Sequence, residues 1–203
     1  MAEIVLVRHG ETTWSANHQH TSYTDLELTP KGERQAREVA GLVGGRRFAA
    51  VFASPRRRAL RTAELAGLTV TEVVDDLAEW NYGDYEGRTA DQIRQERPDW
   101  LLWTDGCPNG ESPDQVAERL DRVLARAAAL LETGDVALVG HGHSLRVAGA
   151  RWIGLSTADG ARLRLDTATV SALGHEHGRP VILRWNSAAH PPAAGAGTTP
   201  GPH

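Results

Sequence analysis

Three short apolar runs constrain the fold of this chain more than any other feature. They are EIVLV (3–7), AAVFA (49–53) and DVALVG (135–140). Continuous apolar runs of this length are typical of parallel strands that are covered on both faces. Helical segments lie between them. The alternation predicts an α/β domain, a three-layer α/β/α sandwich with a mainly parallel central sheet.

Capping residues predict where the helices begin, because a short polar side chain satisfies the free N–H groups of a first turn. The predicted caps are Thr29 before Pro30, Ser54 before Pro55, Thr89 with Gln92, and Ser112 with Gln115. TVTEVV (69–74) predicts a further strand, and segments 168–174 and 180–185 predict an antiparallel edge hairpin. We expect one domain over residues 1–186 and a disordered Pro-, Ala- and Gly-rich tail over 187–203.

Composition narrows the possible partners and location. The net charge of −4 gives no reason to expect nucleic acid, and no apolar run approaches the length of about 18 residues that spans a membrane. Residues 1–7 are interpreted as a strand and not as a signal peptide. A single cysteine, Cys107, excludes an internal disulfide and indicates a reducing cytoplasm. The sequence leaves the oligomeric state open, a homodimer included.

Two histidine motifs follow predicted strands. Arg8-His9-Gly10 comes after the first strand, and His141-Gly142-His143 comes after DVALVG and before a helix. Ligands of open α/β sheets bind at the carboxyl ends of strands, and a helix N-terminus favours an anion. The two motifs therefore predict a phosphate site. The alternative at this point is that each histidine merely packs or caps a helix.

Two further segments carry candidate site residues. In ASPRRRALRTAEL (53–65), Arg58 lies one helical turn past the cap and is placed to bind an anion. In LAEWNYGDYEG (77–87), Glu79 lies among aromatic residues and is a candidate general acid. The remaining charged residues of these segments are interpreted as bonded to backbone or solvent: Arg56, Arg57, Arg61, Asp84 and Glu86.

These four pieces, in this order, resemble the histidine phosphatase superfamily, which has the phosphoglycerate-mutase-like fold. The resemblance covers about residues 1–186. The matching motifs are RHG at 8–10, S-x-x-x-R-A-x-x-T-A at 54–63, L-x-E-x-x-x-G-x-x-E-G at 77–87 and H-G at 141–142. EWNYGDYEG, WTDGCPNGES and HGHSLR are also similar to a branch containing actinobacterial acid phosphatases and a yeast-type sedoheptulose-1,7-bisphosphatase.

The resemblance implies a role for each matching residue. His9 is the nucleophile that becomes a phosphohistidine, and Glu79 is the general acid and base. Arg8, Arg58 and His141 hold the phosphoryl oxygens, with no metal and no cofactor. Further phosphate contacts are expected from Ser15, Ser22 and Gly142, although many family members carry Asn and Gly at the two serine positions. The candidate rim of the substrate pocket is His18, His20, Trp80, Trp103 and His143.

The implied activity is hydrolysis of a small phosphorylated metabolite, with a sugar phosphate or a specialised biosynthetic intermediate as substrate. A phosphomutase would use the same His9 and Glu79, but the long cation-rich insertion of cofactor-dependent mutases is absent between Tyr82 and Glu111. A non-catalytic phospholigand binder is the second alternative. The third is a metal site at one of two H-x-H pairs, His141 with His143 or His175 with His177.

Overall fold

The computed structural model describes residues 2–189, and six strands of this part of the chain form one sheet. The strands are β1 Ile4–Arg8, β2 Phe48–Ala53, β3 Glu72–Val73, β4 Asp135–Gly140, β5 Val170–Glu176 and β6 Arg179–Ser187. Their order across the sheet is β3-β2-β4-β1-β5-β6. β1, β2, β3 and β4 pair in parallel, whereas β5 pairs antiparallel with both β1 and β6. The predicted antiparallel edge hairpin is therefore confirmed.

Helices cover both faces of this sheet. They are α1 Thr13–Ala16, α2 Pro30–Val43, α3 Arg57–Leu65, α4 Ala90–Glu96, α5 Leu102–Asp105, α6 Pro113–Leu130 and α7 Gly142–Trp152, with 3₁₀ turns at Asp75–Leu77, Gly83–Tyr85 and Thr157–Arg162. Side chains of β1 alternate between two cores: Ile4 and Leu6 pack with residues of α6 and α7, and Val5 and Val7 with residues of α2 and α3. The three-layer α/β/α prediction is confirmed.

Strand β3 is much shorter than the predicted segment 69–74. It contains only Glu72 and Val73, and both are exposed. Before it, the Thr71 hydroxyl accepts from the Val51 backbone N–H at 3.0 Å and so takes the place of a backbone acceptor. A side chain that replaces a ladder bond in this way shortens the regular strand.

Three of the four predicted helix caps are confirmed. Thr29, Thr89 and Ser112 each accept a backbone N–H of the first turn with their hydroxyl. The predicted cap at Ser54 is wrong. Helix α3 begins at Arg57, its N-cap Arg56 makes no side-chain cap, and the Ser54 hydroxyl contacts a histidine of the site instead.

Strand β6 continues to Ser187, one residue past the predicted end of the domain at 186. The rest of the predicted tail, from residue 190 onward, lies outside the described residues. Within residues 2–189, no helix combines the length and the apolar character that crossing a bilayer requires.

Candidate active site

The two histidine motifs lie side by side at the carboxyl edge of the sheet. β1 and β4 are parallel neighbours with Arg8 opposite Gly140. The backbone N–H of His9 donates to the Gly140 carbonyl at 3.0 Å. Each motif begins where its strand ends, so the sheet register itself brings His9 and His141 together. Their ring centroids are 5.1 Å apart.

A cavity of about 290 Å³ opens at this edge. That volume is at the low end of the range of about 300–1,000 Å³ for ligand pockets, so the cavity suits a small molecule. The predicted site residues that line it are Arg8, His9, Ser15, His18, His20, Glu79, Gly142 and His143. The predicted residues outside this lining are Ser22, Arg58, Trp80, Trp103 and His141.

His9 has one ring nitrogen bonded and one free. Its Nδ1 lies 2.7 Å from the Gly10 carbonyl, which can only accept, so Nδ1 carries the proton and donates. Nε2 therefore keeps its lone pair, in a residue that lines the cavity. Burial, together with the positive charges of Arg58 and Arg8, holds the pKa of His9 well below its ordinary value. This imidazole is neutral and suited to act as a nucleophile.

Arg8 presents a buried donor beside His9. Its Nη1 donates to the Leu165 carbonyl, but its Nε is buried and has no hydrogen-bond partner in the described part of the chain. A Cβ on Gly142 would lie 3.2–3.3 Å from the guanidinium, so the absence of a side chain at 142 makes room for Arg8. A buried cationic N–H without a partner in a cavity wall is suited to bind an anion.

The Glu79 carboxylate accepts three backbone N–H groups. Trp80 and Ser144 donate to Oε1 at 2.9 and 2.8 Å, and His143 donates to Oε2 at 3.0 Å. Two of these donors belong to the first turn of α7. The helix N-terminus that the sequence analysis assigned to phosphate therefore binds the protein's own carboxylate. This fixes Glu79 in the cavity wall that also contains His9.

A buried arginine holds the loop that carries Glu79. Arg119 donates to the carbonyls of Asp76 and Ala78 at 2.7 and 2.8 Å, and to both carboxylate oxygens of Glu111. Bonds to charged groups in a mostly buried position resist local unfolding. These bonds therefore hold the part of the loop that directly precedes the general-acid candidate.

Arg58 and His141 form a fully buried layer outside the cavity lining. Arg58 Nε donates to His141 Nδ1 at 3.2 Å, so His141 Nε2 carries the ring proton and donates to the Ser54 hydroxyl at 2.7 Å. The remaining Arg58 nitrogens donate to the carbonyls of Thr21, Ser22 and Thr24. Burial first, and then the charge of Arg58, holds the pKa of His141 well below its ordinary value. Every polar atom of the His141 ring is thus bonded to protein.

The two serines predicted to bind phosphate have other partners. The Ser22 backbone N–H and hydroxyl both donate to the Glu86 carboxylate, at 2.6–3.0 Å. The expected direct role of Ser22 is therefore wrong, because its donors are already used. Ser15 lines the cavity, but its hydroxyl bonds to Thr12 in the capping box of α1.

The two tryptophans predicted at the pocket rim lie behind it. Trp80 is fully buried, and its Nε1 donates to the Glu111 carbonyl at 3.0 Å. Trp103 packs edge-to-face on Trp80 and on His143, with centroid distances of 5.9 and 5.1 Å. Both rings support the rim and do not contact the cavity, so their assignment to the substrate pocket is corrected.

The comparisons with known proteins agree with this geometry. The family model described as histidine phosphatase superfamily (branch 1) matches residues 4–188. The chain belongs to the histidine phosphatase superfamily. An acid phosphatase of Mycobacterium tuberculosis is 46% identical over 196 residues, covering 96% of this chain and 97% of that protein.

Relatives with lower sequence identity include proteins that are not named acid phosphatase. Sedoheptulose 1,7-bisphosphatase of Saccharomyces cerevisiae is 38% identical over 183 residues, which cover 74% of this chain and 67% of that protein. A probable phosphoglycerate mutase of Erwinia tasmaniensis is 34% identical over 194 residues, 91% of this chain and 90% of that protein. A solved M. tuberculosis structure of 46% identity superposes with a TM-score of 0.91, covering 93% of this chain and 99% of that one. Within the histidine phosphatase superfamily, this chain is a phosphoric monoester hydrolase.

Gly10, the glycine of the histidine phosphatase RHG motif, allows two backbone segments to pack closely. A Cβ on Gly10 would lie 2.3 Å from the Gly32 carbonyl oxygen, and a Cβ on Gly32 would lie 2.1 Å from the Glu11 carbonyl oxygen. The loop after β1 therefore lies directly on the first turn of α2. The absence of a side chain at Gly10 and Gly32 allows this contact between two backbone segments.

The H-x-H pair at the hairpin lies far from these motifs in the fold. His175 is in β5 and packs edge-to-face on Trp152, whereas His177 is in the β5–β6 turn with a positive φ of 49°. Within the described ranges, no three His, Cys, Asp or Glu side chains come together as a metal-binding group.

Five polar residues that line the cavity were not predicted from the sequence: Thr12, Gln19, Thr21, Tyr82 and Arg146. Arg146 had a detectable signal, since it lies four residues after Gly142 and so on the same face of α7. The sequence signal for Tyr82 was weaker, namely that it is an aromatic residue three positions after Glu79. Its hydroxyl lies 2.6 Å from His143 Nδ1.

Proposed function

We propose that this histidine phosphatase hydrolyses a small phosphorylated metabolite, of the sugar phosphate class, through a phosphohistidine on His9. One observation carries the proposal: His9, with a free Nε2, and Arg8, with a buried Nε that has no hydrogen-bond partner among the described residues, line the same cavity. A neutral nucleophile beside a buried cationic donor suits attack on a phosphate monoester.

The first step forms the phosphoenzyme. The lone pair of His9 Nε2 attacks phosphorus, and the bond to the leaving oxygen breaks. The departing oxygen takes a proton from the Glu79 carboxyl group. His9 keeps the proton on Nδ1, where the Gly10 carbonyl accepts it.

The second step regenerates the free protein. The oxygen of a water molecule attacks phosphorus and gives a proton to the Glu79 carboxylate. The phosphorus–nitrogen bond breaks, and its electron pair returns to His9 Nε2. Inorganic phosphate leaves, and both side chains are back in their starting protonation states.

Arg8 and Arg58 supply the positive charge that phosphoryl transfer needs, so we propose that the reaction proceeds without a metal ion. Arg8 acts by contact. Arg58 and His141 act from the layer outside the cavity lining, because their polar atoms bond to each other, to Ser54 and to the loop carbonyls of residues 21–24. These bonds use four of the five Arg58 N–H groups, and the second N–H of Nη1 has no partner among the described residues.

The sugar phosphate class is supported by the polar rim of the cavity and by the similarity to sedoheptulose 1,7-bisphosphatase of yeast. A phosphorylated intermediate of a specialised biosynthetic pathway is the other substrate that the same cavity suits. The phosphomutase alternative has less support. The arginines of the short segment after Tyr82 lie outside the cavity lining and contact Glu96, Asp91 and Tyr85 instead.

The test is hydrolysis of 4-nitrophenyl phosphate in the presence of a chelator. We expect turnover by the wild type and a loss of at least about 1,000-fold for His9→Ala. His177→Asn is the matched control, because it removes an exposed histidine of the hairpin turn at a backbone conformation that asparagine tolerates. Full activity of His9→Ala, or loss of activity on chelation, would contradict the mechanism. A panel of sugar phosphates then tests the substrate class.

A further inference from the structure

Arg146 is a cation fixed in the cavity wall. Its Nε donates to the Gly160 carbonyl at 3.0 Å and its Nη2 to the Ala161 carbonyl at 2.8 Å. The guanidinium carbon lies 4.4 Å from the centroid of the Trp103 ring. These three contacts fix the plane of the guanidinium. In the part of the chain that the structure describes, Nη1 makes no hydrogen bond.

No carboxylate forms a salt bridge with this guanidinium among the described residues, and Glu79 attracts it only from a longer distance. Arg151, on the same helix α7, pairs with Asp121 at 2.8 Å, and the buried Arg119 pairs with Glu111 at 2.7 Å. Arg146 bonds only to neutral carbonyls, and burial lowers its pKa. A half-buried cation that lacks an anionic partner is expected to gain one from a ligand.

The position of Arg146 separates it from the reacting phosphate. Gly142 lies against Arg8, and Arg146 follows it by four residues on the same helix face. With a rise of 1.5 Å per residue, the two positions are about 6 Å apart along the helix axis. Arg8 and Arg146 therefore meet α7 at positions one helical turn apart, and both residues line the cavity.

Two neutral imidazoles also line the cavity. His20 Nδ1 donates to the Arg88 carbonyl at 2.7 Å, and His143 Nδ1 bonds to the Tyr82 hydroxyl at 2.6 Å. The rings are nearly parallel, with an interplanar angle of 14° and centroids 6.0 Å apart. Their Nε2 atoms make no hydrogen bond within residues 2–189, so they are suited to bind hydroxyl groups.

We propose that Arg146, with His20 and His143, forms a subsite for a second anionic group of the substrate. The substrate class is then a short polyhydroxylated chain with the scissile phosphate at one end and a carboxylate or second phosphate at the other. This inference rests on the proposed function, since it places the scissile phosphate at His9 and Arg8.

The test compares matched substrates that differ in the remote group. Glucose 6-phosphate is paired with 6-phosphogluconate for a remote carboxylate, and fructose 6-phosphate with fructose 1,6-bisphosphate for a remote phosphate. We expect the wild type to prefer the remote anion in at least one pair by about tenfold or more in kcat/KM. The pair that shows the preference identifies the anion.

Variants at Arg146 assign the preference to this residue. We expect Arg146→Met to lose most of it, mainly through a higher KM, and Arg146→Lys to retain part of it. Arg162→Met is the matched control, because it removes a surface charge whose side chain is 84% exposed. A preference that survives in Arg146→Met, or an equal loss in Arg162→Met, would overturn the assignment.

Two readouts keep this test separate from that of the proposed function. Hydrolysis of 4-nitrophenyl phosphate reports the chemistry at His9 and does not require a remote anion. Wild type that hydrolyses this ester but shows no preference within either sugar pair overturns the second subsite and leaves the phosphatase mechanism in place. The comparison of wild-type kcat/KM within each sugar pair uses no variant. It can therefore overturn the proposal even if Arg146→Met does not fold.

Discussion

The inner wall of the site, by which we mean Arg8 and His9 together with the buried layer of Arg58 and His141 behind them, differs from the rim in how its polar atoms are bonded. The inner residues Arg58 and His141 are fully buried, and their polar atoms bond to protein groups. At the rim, His20 and His143 each have one ring nitrogen bonded and one free. The His18 side chain is exposed and makes no hydrogen bond in the described part of the chain. The difference indicates that the inner wall is fixed for one reaction, whereas the rim is free to select among substrates.

The largest expected difference between the two regions concerns Glu79. We expect Glu79→Gln to lower kcat for an alkyl phosphate by about 10²- to 10⁴-fold, because no proton reaches the leaving oxygen. With 4-nitrophenyl phosphate, whose leaving group needs no proton, a burst of nitrophenol should precede slow turnover as the phosphoenzyme accumulates.

Asp84→Asn is the control for this variant, since Asp84 is an exposed carboxylate of the same loop that bonds to Asn109. Rapid-quench kinetics measures the burst. Equal losses for the alkyl and aryl esters in the rate of the first step, phosphoenzyme formation, would show that Glu79 does not protonate the leaving group.

A smaller effect is expected from removing a single bond of the inner layer. Ser54→Ala deletes the acceptor of the His141 Nε2–H and leaves a buried donor without a partner. We expect the free energy of unfolding to fall by about 1–3 kcal/mol. Chemical denaturation at pH 7.5 measures the change.

Ser144→Ala provides a matched comparison for Ser54→Ala. Both serines are fully buried, but the Ser144 hydroxyl has no hydrogen-bond partner in residues 2–189. Its removal should leave the free energy of unfolding unchanged or raise it, because no bond is lost. Equal destabilisation by the two variants would contradict a role for the Ser54–His141 bond.

The pH profile tests the electrostatics of the inner wall. Burial, with Arg58 and Arg8, lowers the pKa of His9 from its ordinary value of 6.5. The unprotonated nucleophile is then retained as pH falls, so we expect the acid limb of kcat/KM to lie below pH 6.5. The ionisation of the substrate is measured separately by ³¹P NMR. An acid limb at or above pH 6.5 would contradict the assigned state of His9.

The smallest effect is expected at the outermost part of the rim. His18 is exposed and has a positive φ of 58°, so His18→Asn keeps the backbone conformation while removing the imidazole. We expect kcat/KM for a sugar phosphate to change by no more than about twofold. A loss above tenfold would place His18 in contact with the substrate and remove the contrast between inner wall and rim.

The inner site was predictable because its residues follow strands. An apolar run that ends in Arg8-His9 or His141-Gly142 places those side chains at one sheet edge without any knowledge of side-chain contacts. The alternation of strands and capped helices predicts the three layers in the same way.

The remaining contacts depend on partners distant in sequence. Ser22 bonds to Glu86, 64 residues away, and Ser54 bonds to His141, 87 residues away. No local pattern distinguishes a serine that caps a helix from one that bonds to a histidine in another layer. Trp80 was misplaced for the same reason, because its burial depends on α5 and α6 packing over the loop.

The contact between Gly10 and Gly32 restricts how this protein can change by mutation. At each position the obstacle to a side chain is a backbone carbonyl oxygen, at 2.3 Å and 2.1 Å. Since a backbone atom cannot be made smaller, no compensating substitution elsewhere restores the space. We therefore expect that no single substitution of Gly10 or Gly32 is tolerated. In a library of random variants, both positions should be depleted of changes while the exposed Lys31 beside them varies freely.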